Sequence, residues 1–449
     1  MRKTMSIIIA CFVIQGFLVA CSPTFSTQES EKYNTDSMQE DFINGEDYEG
    51  NNLENDYIDD IPDLTGETIV LHLIGDTTLP FTSITSPVRN AALDYIGYLN
   101  ENGGLFGATV ELRFADTGGS EEGVVTAYER YANDDDPIWL LINYGGFEGS
   151  LYELVKRDRI PLITFGLNPD IQDIDKNGYV YRLSPTYDEQ FVFFIDYILE
   201  NWEEIKPDGV VDEIKVAYFG WDNEYGRSGL TKETREYVED LGIEIVWEEY
   251  LEMSELSSST DAIFNAQIMG ATVIYSNTHE YGPAKLLNDL NNLAIRDFFV
   301  VGGNHWAFDT GMLEYLYDPG FAENFFTPSW HAWWTDKENA GIQIAEQILE
   351  ANGRTDADKM TGRLLIQGGL DLACYAIEQA IINKGDLNIS GVEIKKTLDE
   401  ISDYEVMNGL FSVNFSDGAR SPSFLQMRKV LGNDSLLVTI EQYSEIPDF

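Results

Sequence analysis

IVLHLIGD, residues 69–76, opens the stretch of sequence that decides the fold. A polar loop, TTLPFTSITSP at 77–87, follows, and then come the runs VRNAALDYIGYLNENGG at 88–104 and LFGATVELRFADTGG at 105–119. Apolar residues at helical spacing between two β-branched apolar runs predict a strand–helix–strand unit. The glycines at 103, 104 and 107 accept positive φ, so they end the helix and turn the chain into the second strand. Parallel strands need such a crossover, so we expect an α/β fold.

The rest of the 449-residue chain extends this pattern twice. Strands and helices alternate from residue 138 to 183, and a second alternating series runs from residue 191 to 301. Two long helical stretches, 339–351 and 369–384, and a β-rich tail at 409–443 follow. A chain of this length is too long for one core, so we expect two lobes.

The N-terminus has the pattern of a targeting segment. Arg2 and Lys3 precede an apolar run that is too short to span a membrane. Leu-Val-Ala-Cys at 18–21 resembles a bacterial lipobox, which implies a signal peptide at 1–20 and a lipid on Cys21. An ordinary secretory signal with an incidental cysteine is the alternative. Residues 21–67 are rich in acids and poor in apolar residues, which predicts a disordered tether.

Charge and cysteine content exclude several kinds of partner and crosslink. The formal net charge of -50 makes nucleic acid and anionic membrane surfaces repulsive partners. After removal of the signal peptide and lipidation of Cys21, only Cys374 remains of the three cysteines. The mature chain therefore has no intrachain disulfide.

Four motifs carry a resemblance to a known family: ALDYIGYLNENGGLFG at 92–107, RIPLITFG at 159–166, YVYRLSPT at 179–186 and DNEYGRSG at 222–229. In their order and spacing the chain resembles type I periplasmic binding proteins of the branched-chain amino acid and amide group, the solute receptors of ABC importers. The resemblance implies two doubly wound lobes joined by three crossing segments, near 182–186, 325–330 and 408–414. Lobe one would comprise 68–184 and 329–410, and lobe two would comprise 185–328 and 411–449.

The resemblance also implies a ligand site between closing lobes. The family's serine-rich loop falls on NYGGFEGS at 143–150, just before a helix, where backbone N–H groups would receive a carboxylate or an amide oxygen. The complete predicted set, with the loop after the first strand at its edge, is Thr77, Thr78, Tyr144, Gly145, Gly146, Phe165, Gly166, Asn168, Tyr225, Thr278, His279, Asn304, His305 and Trp306.

The predicted ligand is a small polar molecule, an amino acid, an amide or a related compound. Asn304 stands where amino-acid receptors of the family keep an acid, and a buried ammonium needs a carboxylate partner. Gly145 would leave extra room on one side, and Trp306 offers a flat apolar wall on the other. We therefore expect a neutral or larger polar ligand rather than a simple branched-chain amino acid, unless Glu280 or Asp309 supplies the missing acid.

Other functions were weighed against this interpretation. His279, His305 and His331 would form a zinc site only if they converged, and hydrogen bonding is the simpler role. Asp173, Asp175 and Asn177 imitate half of a calcium loop, which we interpret as a surface turn. Motifs of hydrolases, dinucleotide enzymes and P-loop proteins are missing from the sequence, so we expect no enzyme and no cofactor.

The resemblance implies partners as well as a ligand. We expect a monomer outside the cell membrane, attached to it only by lipid, that delivers its ligand to ABC permease subunits. A ligand-sensing module of a signalling system, which shares the fold, is the alternative, and a cleft enzyme is the less favoured one.

Overall fold

The computed structural model describes residues 62–78, 82–134, 138–166, 177–210, 213–253, 258–279, 281–432, 436–440 and 443–449. The predicted signal peptide and nearly all of the predicted tether lie outside these residues, and so do the predictions for Cys21, Asn168, Asp173, Asp175 and Glu280. Among the described helices, none is both long and apolar enough to cross a membrane.

The opening strand–helix–strand unit is confirmed. Strand β1 (Thr68–Gly75), helix α1 (Thr82–Glu101) and strand β2 (Thr109–Asp116) follow in order, and the two strands pair in parallel. Gly103, Gly104 and Gly107 have φ of +102°, +65° and +88°, the left-handed values that the turn requires. Helix α1 begins earlier than the sequence indicated and contains Pro87.

The first described sheet has five parallel strands in the order β2-β1-β3-β4-β5. Its remaining strands are β3 (Leu141–Tyr144), β4 (Leu162–Thr164) and β5 (Val180–Arg182). The chain leaves β1 for β2 on one side and then returns to β3 on the other. The loops after β1 and β3 therefore diverge at a topological switch point, where ligands bind in open parallel sheets.

The second described sheet has eight strands, with the order β14-β13-β10-β9-β8-β6-β7 and β15 paired to β13. Its parallel part has a second switch point, between β6 and β8. The strand bounds are β6 (Lys215–Trp221), β7 (Glu244–Leu251), β8 (Val273–Asn277), β9 (Val300–Gly303), β10 (Phe325–Ser329), β13 (Phe424–Leu431), β14 (Leu436–Thr439) and β15 (Ser444–Glu445). The predicted α/β class with two doubly wound sheets is thus confirmed.

Helices cover the parallel strands of both sheets. Beside α1, they are α2 (Glu121–Ala132), α3 (Tyr152–Asp158), α4 (Tyr187–Ile205), α5 (Glu224–Arg227), α6 (Lys232–Asp240), α7 (Thr260–Ile268), α8 (Tyr281–Asn292), α9 (Thr310–Tyr315), α10 (Ala340–Ala351), α11 (Thr361–Lys384) and α12 (Gly391–Asp399). Helices α10 and α11 pack on α1, and α4 packs on β10 and β13. The late helices therefore return to the first sheet, while α4 belongs to the second.

Helix α11 begins at Thr361 rather than at Gly369 as the sequence predicted. Glycines normally weaken helices, yet Gly368 and Gly369 both lie inside α11. In the structure these glycines make close packing possible. A Cβ atom at Gly368 would lie 2.6 Å from the Phe411 ring, and one at Gly369 would lie 2.8 Å from the Phe165 ring.

The connections between the sheets differ from the predicted crossings in detail. Residues 325–329 form β10 inside the second sheet, so the chain leaves that sheet only after Ser329. Strand β12 (Phe411–Val413) pairs with β11 (Tyr404–Val406) in a separate hairpin. The first and third connections touch, because the Arg182 N–H donates to the Arg420 carbonyl at 2.8 Å.

Candidate functional site

The loops at the first switch point are joined by Asp76. This buried residue follows β1, and its carboxylate accepts hydrogen bonds from the Thr117 hydroxyl and, at 3.3 Å, from the Gly146 N–H. A Cβ atom at Gly145 would lie 2.9 Å from Asp76 Oδ2. The expectation of extra room at Gly145 is therefore wrong, because the Asp76 carboxylate occupies that space.

Thr77 and Thr78 are bound to the neighbouring strand. Both the N–H and the hydroxyl of Thr77 donate to Asp116, at 3.1 and 2.6 Å, and the Thr78 hydroxyl donates to the same carboxylate at 3.2 Å. Partial burial by itself raises the pKa of Asp116, but these bonds stabilise the charged form and together hold the pKa below its usual range. The two threonines thus fix the shape of the loop.

Tyr144 brings the two sheets into contact. It ends β3, and its ring centroid lies 5.1 Å from that of Phe165 and 6.3 Å from that of Trp306, which follows β9. The planes of Tyr144 and Trp306 meet at 89°, an edge-to-face arrangement. The Tyr144 hydroxyl is buried and has no hydrogen-bond partner in the described part of the chain.

The loops after β6, β8 and β9 of the second sheet form what we call the second wall of the site. Asn304 connects these loops by hydrogen bonds. Its side-chain NH₂ donates to the Tyr225 hydroxyl at 2.9 Å and to Asn277 Oδ1 at 2.6 Å. Its Oδ1 accepts the N–H groups of Trp306 and Ala307 at 2.9 and 3.0 Å. The fully buried amide thus has both its donors and its acceptor engaged, which makes this wall rigid.

The polar contact at the end of β8 comes from Asn277. Besides meeting Asn304, its Nδ2 donates to the Tyr225 carbonyl at 2.8 Å and so bridges the second switch point. Thr278 is buried, and its hydroxyl lies 2.6 Å from that of Ser276. The neighbour of the predicted Thr278 therefore makes the contacts with Tyr225 and Asn304.

The imidazoles of this wall are packed among aromatic rings. His279 stacks on Tyr225 with centroids 6.1 Å apart, and burial lowers its pKa to about 3. His305 Nδ1 lies 3.1 Å from Gln190 Oε1, and His331 Nδ1 lies 2.8 Å from the Ala332 carbonyl. Within the described ranges no group of three or more His, Cys, Asp or Glu residues is arranged to hold a metal ion.

Asp309 forms a second contact between the two sheets. Its Oδ1 accepts the Thr310 N–H at the start of α9, and its Oδ2 accepts the Thr361 N–H at the start of α11, at 2.9 Å. Burial raises the pKa of Asp309 to about 6, against the effect of these bonds. The carboxylate that sequence reasoning offered as a partner for an ammonium is thus already bound by backbone N–H groups.

Two residues near the contact were missed as ligand-site candidates. Glu148 is buried in the loop after β3, and its Oε1 lacks a hydrogen-bond partner among the described residues. Tyr187 begins α4, and its ring lies 4.6 Å from that of Tyr225 and 6.4 Å from that of His305. The sequence did contain signals for both residues: Glu148 is an acid inside a glycine-rich loop, and Tyr187 comes just after the first connection between the sheets.

Comparison with known proteins agrees with this geometry. Residues 68–422 match the family described as periplasmic binding protein. A branched-chain amino acid ABC transporter protein from Thermus thermophilus with bound valine has 18% identity and a TM-score of 0.73, over 85% of this chain and 97% of that one. A leucine binding protein from Thermotoga maritima has 13% identity and a TM-score of 0.66, over 84% and 99%.

A solute binding protein of an ABC transporter from Rhodopseudomonas palustris, in complex with 3,4-dihydroxy benzoic acid, has 16% identity and a TM-score of 0.68, over 85% and 98%. At these identities the structures show a shared fold. No curated protein sequence matches the chain. The family match spans well over half of the chain, and it agrees with the two switch-point sheets. The chain therefore belongs to the periplasmic binding protein family, whose members bind solutes outside the cytoplasmic membrane.

Proposed function

We propose that this protein is the solute receptor of an ABC importer and captures a small polar molecule between two closing lobes. One observation carries the proposal: Tyr144 at the end of β3 and Trp306 after β9, from two different sheets, meet beside buried polar atoms that have no partner in the described part of the chain. Buried polar groups are normally hydrogen-bonded, so atoms such as the Tyr144 hydroxyl indicate a place for ligand atoms.

The proposed ligand is an amino acid, an amide or a related compound. The similar proteins described above are named for valine, leucine and 3,4-dihydroxy benzoic acid, which span aliphatic and aromatic acids. The rings around Tyr144 suit a ligand with a planar or aromatic part. The residues that we propose to contact the ligand lie on both sides of it. They are Tyr144, Gly145, Gly146, Phe165, Gly166 and Asn168 on one side, Tyr225, Thr278, His279, Asn304, His305 and Trp306 on the other, and Thr77 and Thr78 at the edge.

The lobes that we propose follow the two sheets, except that Ser329, the last residue of β10, begins a lobe-one segment. Lobe one comprises 68–184 and 329–410, and lobe two comprises 185–328 and 411–449. The hairpin of β11 and β12 spans the third boundary, between residues 410 and 411. A ligand that contacts both lobes stabilises the closed form by its differential affinity.

A thermal-shift screen followed by small-angle scattering tests the receptor function. A ligand at a hundred times its Kd stabilises the folded protein by about 2.7 kcal/mol. The hit should then reduce the radius of gyration, because the lobes close. The protein should also return the ligand chemically unchanged, since we propose no catalysis. Turnover of the ligand, or a hit that leaves the radius unchanged, contradicts the proposal.

We also propose a lipid anchor on Cys21 that holds a monomer next to permease subunits at the outer face of the membrane. The Leu-Val-Ala-Cys pattern supports this proposal. Replacing Cys21 with Ala should move the protein from the membrane to the soluble fraction, whereas Cys374→Ala should leave it in the membrane fraction. Equal membrane retention of the Cys21 variant and the unmodified protein would refute the anchor.

A further inference from the structure

We call the loops after β1, β3 and β4 of the first sheet the first wall of the site. Glu148 is the buried acid of this first wall. It begins the short 3-10 turn Glu148–Leu151 after β3, and its side chain is 4% exposed. Its carboxyl packs against the backbone of Gly166, where a Cβ atom would overlap it. Glycine at position 166 thus makes room for the acid, which ties together the loops after β3 and β4.

The carboxyl of Glu148 lacks a close positive partner. Oε1 of Glu148 has no hydrogen-bond partner in the described ranges. The positive charge that stabilises the Glu148 carboxylate is that of Arg182, but Nε and Nη1 of Arg182 also have no hydrogen-bond partner in these ranges. Burial raises the pKa of Glu148 to about 7, against a hydrogen bond from its own backbone N–H and the charge of Arg182. A buried carboxylate with an unbonded oxygen is costly, and a ligand group that pairs with it recovers that cost.

The surroundings of Glu148 are aromatic and reach both lobes. Burial raises the pKa of the Tyr187 hydroxyl, and the charges of Glu148 and Tyr144 raise it further. The side chain of Trp306 forms a hydrogen bond with this hydroxyl, which lowers the pKa. Tyr187 also packs edge-to-face on Tyr225. The Glu148 carboxyl lies against Gly166, the neighbour of Phe165, whose ring centroid is 5.1 Å from that of Tyr144. A buried carboxylate in a region rich in aromatic rings suits an organic cation, since ring faces attract positive charge.

We propose that the Glu148 carboxylate receives a positively charged nitrogen of the ligand, an ammonium or a guanidinium, beside the rings of Tyr144, Tyr187 and Trp306. This inference rests on the proposed receptor function and narrows its ligand class. It also accounts for the asparagine at position 304, where amino-acid receptors of the family keep an acid. In this protein the acid would be Glu148 in the opposite wall, so the cationic end of the ligand would point towards lobe one.

Matched probes test the proposal by calorimetry on the full chain without its signal peptide. The pairs are benzylamine with benzyl alcohol and putrescine with butanediol, and agmatine serves as the guanidinium. At least one cation should bind about tenfold or more tightly than its neutral match. Glu148→Gln, which keeps the side-chain shape, should remove that preference. Glu153→Gln, the same change at an exposed position nearby, should keep it.

The pH dependence gives a second readout. The amine affinity should fall as the pH drops below about 7 in the unmodified protein, because protonation removes the charge of Glu148. The other titratable or charged groups that act on it or are acted on by it are Arg182, Tyr152, Tyr187 and Glu224. In the Glu148→Gln protein, this dependence should be absent.

The outcomes separate this inference from the receptor function. Equal binding of amines and alcohols, or an amine affinity that Glu148→Gln leaves unchanged, overturns the cation site. If only neutral or anionic molecules bind and close the lobes, the receptor function stands and the cation site falls. If no molecule in a broad screen binds, both fall.

Discussion

The two walls that meet at Tyr144 and Trp306 satisfy their polar groups in different ways. In the second wall, Asn304 has both its donors and its acceptor engaged inside the protein. In the first wall, buried oxygens of Tyr144 and Glu148 have no partner among the described residues. One wall is thus complete without a ligand, while the other offers groups that a ligand can bind.

This difference teaches how the two kinds of wall contribute to binding. A complete network costs no ordering free energy when the ligand arrives, so it acts as a preorganised surface. An incomplete one gains its missing hydrogen bonds only in the complex, and so it supplies selectivity. Changes in the second wall should therefore reduce stability, and changes in the first should alter stability less or even raise it.

Breaking the second wall should have the largest effect. Asn304→Ala removes the acceptor of two N–H groups and the donor to Tyr225 and Asn277, so the free energy of unfolding should fall by about 4 kcal/mol. Urea denaturation measures this loss. Asn102→Ala, which removes an exposed amide bonded to Tyr98, should cost about 0.5 kcal/mol or less. Equal losses in the two variants would show that the Asn304 network does not stabilise the wall.

Removing the charge of Glu148 in the first wall should raise the free energy of unfolding instead of lowering it. The folded pKa of Glu148, about 7, lies above its ordinary value of 4.5, so the native state favours the protonated acid. The resulting stability is complete below the unfolded pKa and is lost as the pH rises through about 7. At about pH 8, Glu148→Gln should therefore raise the free energy of unfolding by roughly 3 kcal/mol.

That gain should shrink towards about pH 4, where the acid is protonated in both states. Denaturation curves at several pH values measure it, with Glu153→Gln as the exposed control. A gain that is the same at every pH would mean that Glu148 does not titrate as a buried, unpaired acid.

The smallest effect should come from the glycines of the first wall. Gly166→Ala places a methyl group against the Glu148 carboxyl and should cost about 2 kcal/mol. Gly146→Ala meets no atom within 4 Å and should change stability by about 0.5 kcal/mol or less. Thermal denaturation compares the two. If the loss at Gly166 persists when Glu148 is shortened to Ala, the acid is not the group that requires the glycine.

The fold could be predicted from the sequence because its signals are local. The spacing of Ala91, Ala92, Tyr95 and Ile96 predicts a helix face that is indeed buried. The start of α11 was not predictable in this way: Gly368 and Gly369 inside it make contacts with Phe411 and Phe165, which are far along the chain. Contacts of this kind leave no periodic pattern.

The candidate site was predictable in position but less so in detail. The loops after β3 and β9 do bring Tyr144 and Trp306 together, as the resemblance to the family implies. Gly145 was taken to leave room, and only the structure shows the Asp76 carboxylate in that space. The buried state of Glu148 depends on the backbone of Gly166 in the next loop, which no local pattern in the sequence encodes.

The hydrogen bond from the Arg182 N–H to the Arg420 carbonyl has a mechanical consequence. Three separate connections would let two bodies bend, twist and slide along independent coordinates. Because this bond holds two of the connections side by side, a movement that separates them must break it. We therefore expect the opening that we propose to keep these two connections together, as in a hinge rotation rather than a sliding of the lobes.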